Sequence, residues 1–285
     1  MKFWLAMFGI PTNEMPDYAR LVESLGVDGV AIPDHACMPT KIESPYPYGK
    51  PADRTTAFGV DMDFPDPWVC IGSMASVTST LRFATHVTVV PVLHPFTLYR
   101  QAATAAVASN YRVDLGVGIG WMAEELEAMG VDFRTRASRT DESLDIIREL
   151  SRNQPLAWAG KRYSFDEVTV SPLLKGPLPI IVGGESPAAL RRAARVGDGW
   201  VGAKVNPEEM ASIIKDLRVE LDKAGRDVDS FSVRARLRDA PTLADCQALA
   251  DLGVEAIMLP DWVIPGDTME ERLERFATDI IAKTR

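Results

Sequence analysis

Two ten-residue stretches near opposite ends of the chain share one pattern, and this repeat constrains the fold more than any other feature. Residues 25–34 read LGVDGVAIPD and residues 252–261 read LGVEAIMLPD. Gly26 and Gly253 suit the left-handed position that ends a helix, and each is followed by an apolar run typical of a buried strand. A partial copy, VGDGWVGA, occupies residues 196–203. The repeat predicts parallel strands covered by helices on both faces.

The same alternation of strand and helix patterns extends along the whole chain. We predict strands near residues 2–9, 27–32, 81–90, 112–118, 179–183, 198–202, 231–236 and 255–259. We predict helices near residues 14–25, 67–79, 96–109, 135–152, 186–196, 207–224, 242–251 and 268–283. Ser186-Pro187 and Asn206-Pro207 have the N-cap and first-turn proline of helix starts. Eight alternating pairs predict an α/β fold, a (β/α)8 TIM barrel, in one domain of residues 1–285.

Two segments are too long to be simple connections between a strand and a helix. Residues 36–66 are rich in proline, tyrosine and aspartate, and residues 153–177 contain Gly160-Lys161 between short β-like runs. Long loops at the carboxyl ends of barrel strands are where such enzymes keep their specificity. We therefore interpret both segments as insertions into the barrel.

Composition and charge limit the classes of partner. The 285 residues include 31 Lys and Arg against 40 Asp and Glu, a formal charge of −9, which repels nucleic acid and anionic lipid surfaces. The amino terminus lacks the long apolar core of a signal peptide, and no stretch has the length of a membrane span. Cys37, Cys70 and Cys246 lie far apart, without metal-finger spacing. These features predict a cytoplasmic protein that acts on a small molecule, without nucleic acid or membrane partners.

A glycine-rich strand end, VDLGVGIGW at residues 113–121, is the densest candidate for a ligand site. Gly116, Gly118 and Gly120 alternate, so one face of the strand lacks side chains and a flat group could approach the backbone. A Rossmann fingerprint would need a third glycine where Trp121 stands, so we exclude NAD binding of that type. The alternative interpretation is that the glycines serve tight packing within the barrel.

A second glycine cluster lies between a predicted strand and helix, in PIIVGGES at residues 179–186. The backbone N–H groups of Gly183 to Ser186 would point out of the helix start and could bind a phosphate, with Arg191 and Arg192 one or two turns further on. Glu185 weakens this prediction because its carboxylate competes for the same donors. The alternative is an ordinary helix capped by Ser186, with solvated arginines.

The histidines follow strand ends or lie within a strand. His35 follows a strand, where an imidazole titrating near neutrality is well placed for proton transfer, and Asp34 could orient it or face a ligand. His35 could equally be a hydrogen-bonded structural residue. His86 and His94 have the same two interpretations. Cys37 as a nucleophile would need a positioned base, and no histidine spacing predicts a metal site.

Seven motifs taken together resemble one known family. They are IPDH (32–35), SPYPY (44–48), FPDPW (64–68), TLRFATHVTVVP (80–91), HPFTLYRQAAT (94–104), GVGIGWMAEELEAMGVDFRTRASRTDE (116–142) and IIVGGESPAALRRAARVGDGW (180–200). The chain resembles the bacterial luciferase-like monooxygenase superfamily over nearly its whole length. It most resembles the actinobacterial branch that uses the deazaflavin coenzyme F420. The resemblance also implies a (β/α)8 barrel with insertions.

The resemblance further implies a flavin-type cofactor across the carboxyl ends of the strands. It implies His35 as a candidate proton donor or acceptor, with Asp34 beside it, and a non-proline cis peptide at His86-Val87 after Thr85. Gly183, Gly184 and Ser186 would bind the cofactor phosphate. The full set of implied cofactor-binding residues is Asp34, His35, Thr85, His86, Val87, Gly118, Gly120, Trp121, Glu125, Gly183, Gly184 and Ser186.

The chain departs from the family pattern at three places. Ser109-Asn110-Tyr111-Arg112 stands where relatives usually have S-G-G-R, and TAAVA at 104–108 replaces a T-L-D-x-L type segment. In the sugar-phosphate dehydrogenases of the family a glutamate follows the glycine strand as a catalytic acid, and here that position is Trp121. We therefore do not expect sugar-phosphate oxidation.

Our leading hypothesis is hydride transfer between F420 and a small or medium organic substrate, with His35 handling the proton. The alternatives are a monooxygenase that uses reduced FMN, and a barrel that binds a cofactor without catalysis. The acidic tail of F420 would need a basic groove, for which Lys204, Arg234, Arg236 and Arg238 are candidates. Such barrels commonly pair, so we expect a homodimer. The expected apolar lid over the site comprises Tyr46, Tyr48, Phe58 and Phe64.

Overall fold

The computed structural model describes residues 1–48 and 61–285, and eight parallel strand positions close into a barrel. The third position is divided into two short strands, and a hairpin of two further strands lies outside the barrel. The strands are β1 (Lys2–Ala6), β2 (Gly29–Ile32), β3 (Arg82–Thr85), β4 (Thr88–Val89), β5 (Val113–Gly118), β6 (Leu156–Ala159), β7 (Ser164–Val168), β8 (Ile180–Gly183), β9 (Gly199–Val205), β10 (Ser232–Leu237) and β11 (Ala256–Leu259).

Helices follow the barrel strands and pack side by side around them. They are α1 (Met15–Ser24), α2 (Pro67–Ala75), α3 (Pro95–Ala108), α4 (Ala123–Ala128), α5 (Arg136–Arg152), α6 (Pro187–Val196), α7 (Pro207–Lys223), α8 (Leu243–Asp251), α9 (Met269–Phe276) and α10 (Ala282–Thr284). A π-helical turn, Ala277–Ile281, joins α9 to α10. The long helix predicted for 268–283 is therefore divided into three parts.

The barrel closes because β3 pairs with β5 as well as with β2. Proceeding from β2, the barrel continues through β1, β11, β10, β9 and β8 to β5. Each of these pairings is parallel, so the carboxyl ends of the strands meet at one rim, which we call the mouth. This confirms the predicted (β/α)8 barrel. It also places β10 three strand positions from β2 in one direction and three from β5 in the other.

Local signals in the sequence account for the helix boundaries. Gly26 and Gly253 have φ values of +82° and +84°, the left-handed conformation predicted at the two repeated helix ends. The Ser186 side chain caps α6, and Asn206 caps α7 in a capping box with Glu209. Asp66 caps α2, accepting hydrogen bonds from two backbone N–H groups of the first turn.

Two apolar layers hold the barrel together. The larger layer lies between strands and helices, where outward-facing residues such as Leu115 and Ile257 pack against the apolar helix faces. A smaller cluster fills the interior of the barrel and consists largely of alanines with a few large side chains. Its members are Trp4, Ala6, Ala31, Ala84, Ala256 and Met258. Because strand residues alternate between the two faces, the same strands serve both layers.

The two predicted insertions have different structures. The second contains the antiparallel hairpin β6–β7, with Gly160 and Lys161 at its turn, as its β-like runs predict. The described parts of the first, residues 36–48 and 61–66, are without helix or strand. Phe58 and the side chain of Lys204 lie outside the described part of the structure. Among the described residues, no helix has the length and apolar character needed to span a membrane.

Candidate active site at the barrel mouth

A histidine and a buried carboxylate form a hydrogen-bonded pair at the mouth. His35, just after β2, lies with Nδ1 2.9 Å from Oε2 of Glu125 on α4. Glu125 is fully buried, and its other oxygen accepts a hydrogen bond of 2.7 Å from the backbone N–H of Ala36. The carboxylate therefore holds both the imidazole ring and the backbone next to it.

This contact determines which nitrogen of His35 can accept a proton. A carboxylate at Nδ1 favours the tautomer in which Nδ1 carries the hydrogen and donates it to Glu125. The proton-accepting nitrogen is then Nε2, on the opposite edge of the ring. The resemblance implies that Glu125 contacts the cofactor, but the structure uses both of its oxygens to position His35 and Ala36.

Asp34, which precedes His35 after β2, is a carboxyl with a perturbed pKa. Burial raises the pKa of Asp34 from 3.8 to about 6, and the nearby negative charge of Glu125 adds to this effect. The side chain of His35 opposes the shift. A carboxyl with a pKa of about 6 can exchange a proton near neutral pH. Perturbed pKa values of this kind cluster at functional sites.

Aromatic side chains from distant parts of the sequence surround His35. Its ring lies edge-on to Phe64 at 5.0 Å and to Trp121 at 6.5 Å, measured between ring centroids. Trp121 in turn contacts Tyr46 at 5.2 Å, and Tyr46 contacts Tyr48 at 5.7 Å. Both tyrosines and Phe64 come from the first insertion, so the predicted apolar cover is present in its described part.

The third strand is interrupted at His86. The peptide bond between His86 and Val87 is cis, at the position that the resemblance implies. Burial lowers the pKa of His86 to about 3, with the charges of Arg236 and Arg234 adding to the shift, so His86 is neutral. The Thr85 hydroxyl donates a hydrogen bond of 2.6 Å to the carbonyl of Gly116. Thr85 therefore joins two strands, and its side chain is buried at the end of β3.

The glycines at the ends of β5 and β8 provide space for neighbouring side chains. A Cβ atom on Gly116 would lie 1.8 Å from the Thr85 carbonyl oxygen, and one on Gly118 would lie 2.6 Å from Cγ2 of Val87. A Cβ on Gly183 would lie 3.1 Å from Cγ1 of Val87. Tight packing within the barrel, the alternative considered for Gly116 and Gly118, accounts for these positions.

At the start of α6, the Ser186 side chain caps the helix. The Ser186 hydroxyl accepts a hydrogen bond of 3.2 Å from the Ala189 N–H, and the Trp200 ring N–H donates to the Gly184 carbonyl at 2.7 Å. Arg192, one of the two arginines further along this helix, is not solvated as the alternative interpretation expected. Arg192 is 6% exposed and pairs with Asp141 on α5 at 2.7 Å, because it faces the neighbouring helix. Arg191 is exposed.

Two of the four candidates for a basic groove, Arg234 and Arg236, do not lie on the surface. Arg234 and Arg236 lie two residues apart on β10, so both side chains point into the barrel, where they are 7% and 8% exposed. Arg238, beyond the strand, is exposed and lies 3.4 Å from Glu209. The sequence analysis missed this internal position of the arginines. The alternating VRARLR at 233–238 could have indicated it, since alternate residues of a barrel strand face the interior.

Below the mouth, three charged residues form a paired cluster that we call the floor. Asp114 is 1% exposed and lies 2.5 Å from Arg82 and 2.7 Å from Arg234. Arg234 also lies over the Trp4 ring, with its guanidinium carbon 4.8 Å from the centroid. A cavity of about 600 Å³ opens beside the floor at the amino ends of the strands, remote from His35.

Arg236 differs from Arg234 in having no acidic partner in the described part of the chain. Within the described residues, no carboxylate lies within ion-pair distance of Arg236, and its buried Nε atom has no hydrogen-bond partner. Its guanidinium carbon lies 5.5 Å from the centroid of the Phe8 ring. Tyr46 and Tyr48 are close enough to interact electrostatically with it.

Beside the mouth lies a second cavity, of about 820 Å³, between the end of β1 and the end of β11. Phe8, Met62 and Trp262 supply apolar walls, and the rings of Phe8 and Trp262 lie 5.8 Å apart. Such a volume is typical of a small-molecule site. The described residues contain no group of three or more His, Cys, Asp and Glu side chains that could hold a metal ion.

Comparisons with known proteins agree with this fold. An uncharacterised protein of Mycobacterium tuberculosis is 32% identical over 274 residues, 93% of this chain and 93% of that protein. An F420-dependent glucose-6-phosphate dehydrogenase of Nakamurella multipartita is 27% identical over 79% of this chain and 63% of its own length. The structure of an F420-dependent secondary alcohol dehydrogenase with an F420-acetone adduct has the same fold, with a TM-score of 0.81, 15% identity and complete coverage of both chains.

The family assignment follows from a match that extends over nearly the whole barrel. The model of the luciferase-like monooxygenases matches residues 5–277, from the first barrel strand to the helical segment after the last. This span includes the His35–Glu125 pair, the interrupted third strand and both glycine-rich strand ends. The chain therefore belongs to the luciferase-like monooxygenase family, and it is an oxidoreductase.

Proposed function

We propose that this protein is an F420-dependent oxidoreductase that transfers a hydride to or from a small organic substrate at the barrel mouth. The observation that carries the proposal is the 2.9 Å contact between His35 Nδ1 and Glu125, which leaves Nε2 as the proton-accepting nitrogen beside the aromatic side chains. Relatives named as F420-dependent support the choice of cofactor. When bound, F420 would supply or accept the hydride at one ring carbon.

The residues of the mouth fit a flat, flavin-type ring and its phosphate. Trp121 and Phe64 offer an apolar aromatic wall next to His35. At the end of β8, Gly184 has φ +108° and leads directly into the N-terminus of α6, a ten-residue helix. A helix N-terminus favours a phosphate, so we assign the cofactor phosphate to Gly183, Gly184 and Ser186.

The other residues assigned to the mouth either lie next to the cofactor ring or position a residue that does. We place His35, Asp34 and Trp121 next to the ring, with Gly118, Gly120 and the cis peptide of His86-Val87 as its backbone bed. Glu125 acts one step further away, as the residue that positions His35.

His35 provides the proton transfer that accompanies hydride transfer. The hydride carries two electrons and leaves or joins a substrate carbon, while a proton leaves or joins a neighbouring substrate atom. Nε2 of His35 accepts that proton in the oxidation direction and returns it in reduction, while Glu125 stabilises the charged imidazole. The aromatic cover from the first insertion keeps water away from the reacting atoms.

The first test measures which cofactor the protein binds. Purified protein is titrated with F420 and, in parallel, with FMN, and the quenching of tryptophan fluorescence is followed because Trp121 is assigned to the ring. We expect F420 to bind and FMN to bind weakly. A preference for FMN would contradict the proposal and favour the reduced-FMN monooxygenase, the alternative to which the family description points.

The role of His35 is tested by His35→Asn with His94→Asn as its control. His94 is an exposed N-cap of α3, a position where asparagine serves equally well. Removal of a general acid–base group typically costs about 10²–10⁴-fold in rate, so His35→Asn should lose that much kcat with F420 affinity unchanged. The control should retain normal activity. Full turnover in His35→Asn with bound cofactor would refute the proton role.

A further inference from the structure

A buried arginine, Arg236, lies inside the barrel at the mouth and has no acidic partner among the described residues. Arg236 is 8% exposed. Among residues 1–48 and 61–285, its Nε atom has no hydrogen-bond partner and no carboxylate pairs with its guanidinium. An isolated buried cation is costly unless a ligand compensates its charge. Arginine keeps its proton at neutral pH even though burial lowers its pKa, so the positive charge persists.

The described residues that interact with Arg236 carry no negative charge at neutral pH. Tyr46 and Tyr48 interact with it, and burial raises the pKa of both phenols, so their hydroxyls stay protonated. His86 is neutral because burial lowers its pKa to about 3. Phe8 offers only its ring face. The surroundings therefore combine one guanidinium with two phenols, a set of donors that fits a carboxylate.

The topology places this charge across the mouth from His35. Arg236 is the second-last residue of β10, three strand positions from β2, after which His35 follows, and three from β5, after which Trp121 follows. The chain of ring contacts from His35 through Trp121 and Tyr46 to Tyr48 connects the two sides. A substrate held at one end by Arg236 would direct its other end toward His35.

The neighbouring cavity of about 820 Å³ is a poor site for an anion. Its lining includes four carboxylates and one guanidinium, and that guanidinium is already paired with one of the four, Asp261, at 2.7 Å. Repulsion by the remaining carboxylates disfavours a negative ligand there. The surroundings of Arg236 are therefore better suited to an anionic group than this cavity is.

We propose that Arg236 is a substrate-binding residue, and that the substrate is an organic acid whose carboxylate pairs with the Arg236 guanidinium while its reacting carbon lies beside His35. This inference rests on the proposed function for the reacting end of the substrate. The anion site itself is independent of that function. A planar guanidinium can bind a carboxylate through two parallel hydrogen bonds, which also fixes the orientation of the substrate.

The test measures binding of simple probes rather than turnover. Benzoate, the matched neutral benzamide and inorganic phosphate are titrated by calorimetry into F420-free and F420-loaded protein. The same titrations use Arg236→Gln and the control Arg238→Gln, which alters an exposed arginine beyond the same strand. We expect benzoate to bind at least tenfold more tightly than benzamide or phosphate. Arg236→Gln should abolish this preference, and Arg238→Gln should retain it.

Each other outcome has a definite meaning. Equal benzoate affinity in Arg236→Gln and the unaltered protein would overturn the proposal, as would binding of phosphate in preference to benzoate. Loss of F420 affinity in Arg236→Gln would assign the guanidinium to the cofactor and would also overturn it. If F420 fails to bind while benzoate binding still depends on Arg236, the anion site is supported and the proposed function is refuted. Thermal unfolding of Arg236→Gln checks that the variant is folded.

Discussion

The floor and the mouth of the barrel both contain aspartate and arginine side chains, but they differ in how these charges are paired. At the floor, Asp114 pairs with both Arg82 and Arg234, so each buried charge has a partner. At the mouth, Asp34 has a raised pKa, and Arg236 has no acidic partner among the described residues. Arg234, which pairs with a carboxylate, and Arg236, which pairs with none among the described residues, lie only two positions apart on β10.

The difference indicates where the molecule is stabilised and where it acts. Paired charges at the amino ends of barrel strands connect the strands, whereas ligand sites in barrels lie at the carboxyl ends. Leaving charges unpaired there costs stability, and a bound ligand can recover that cost. The comparison therefore predicts that substitutions at the floor unfold the protein and that substitutions at the mouth change its function.

The largest effect is expected from breaking the floor. Asp114→Asn leaves the buried Arg234 and the partly exposed Arg82 without this carboxylate, so we expect a loss of about 3–5 kcal/mol in the free energy of unfolding. Urea denaturation measures this change. Asp145→Asn, which breaks the pair with Arg195 at the surface, is the control and should cost about 1 kcal/mol or less. Equal losses in both variants would mean that the floor has no special structural role.

The next effect concerns Asp34 and depends on pH. Because the folded-state pKa of about 6 lies above the unfolded value of 3.8, the folded protein holds the proton more tightly, and stability falls as pH rises between these values. Asp34→Asn removes this loss. Its stability relative to the unaltered protein should therefore increase by up to about 3 kcal/mol from pH 3.5 to pH 7.5.

Denaturation curves at the two pH values measure this difference, and the titration of His86 cancels because both proteins contain it. Asp17→Asn, at an exposed site on α1, serves as the control and should show no such change with pH. A constant difference between Asp34→Asn and the unaltered protein would contradict the raised pKa.

A moderate effect on rate is expected at Glu125. In Glu125→Gln the amide can keep the bond to Ala36 N–H and donate to Nδ1 of His35, which favours the wrong tautomer. We expect kcat to fall by about 10- to 100-fold, with little change in KM or in F420 affinity. Glu127→Gln, an exposed position on the same helix, is the control. A rise in KM without loss of kcat would mean that Glu125 binds the substrate rather than positioning His35.

The smallest effect compares the two arginines of β10 directly. Arg236→Met removes an unpaired buried charge and should raise the free energy of unfolding by about 1–2 kcal/mol. Arg234→Met removes a partner from Asp114 and should lower it. Urea denaturation of both variants, without added ligand, measures these changes. Similar destabilisation by both would contradict the distinction between mouth and floor.

Much of the scaffold could be predicted because it depends on local patterns. The apolar runs, Gly26 and Gly253, and the capped starts of α6 and α7 predict elements that agree with the structure to within a few residues. The six-residue helix α4 was not predicted, since it is too short to show a period. The interruption of the third strand was expected only from the resemblance to the family.

The candidate site was predicted only in part. His35 and Trp121 lie at strand ends, which the order of elements indicates, but the partner of His35 is Glu125, ninety residues further along the chain. Arg192 faces a neighbouring helix, and the placement of Arg234 and Arg236 in a surface groove was wrong. An arginine looks the same in sequence whether it faces solvent, a neighbouring helix or the barrel interior. F420 binding, a homodimer and a cytoplasmic location stay predictions.

The sequence by itself determined the barrel, its family and the positions where strands end, because hydrophobic periodicity, helix caps and helix-ending glycines act over a few residues. Only the tertiary structure decided which charges are paired. When the barrel closes, Asp114 lies between Arg82 and Arg234. Arg236 lies where no described carboxylate is within ion-pair distance. The physical reason is that the energy of a buried charge depends on neighbours in space, and those neighbours are far apart in the chain.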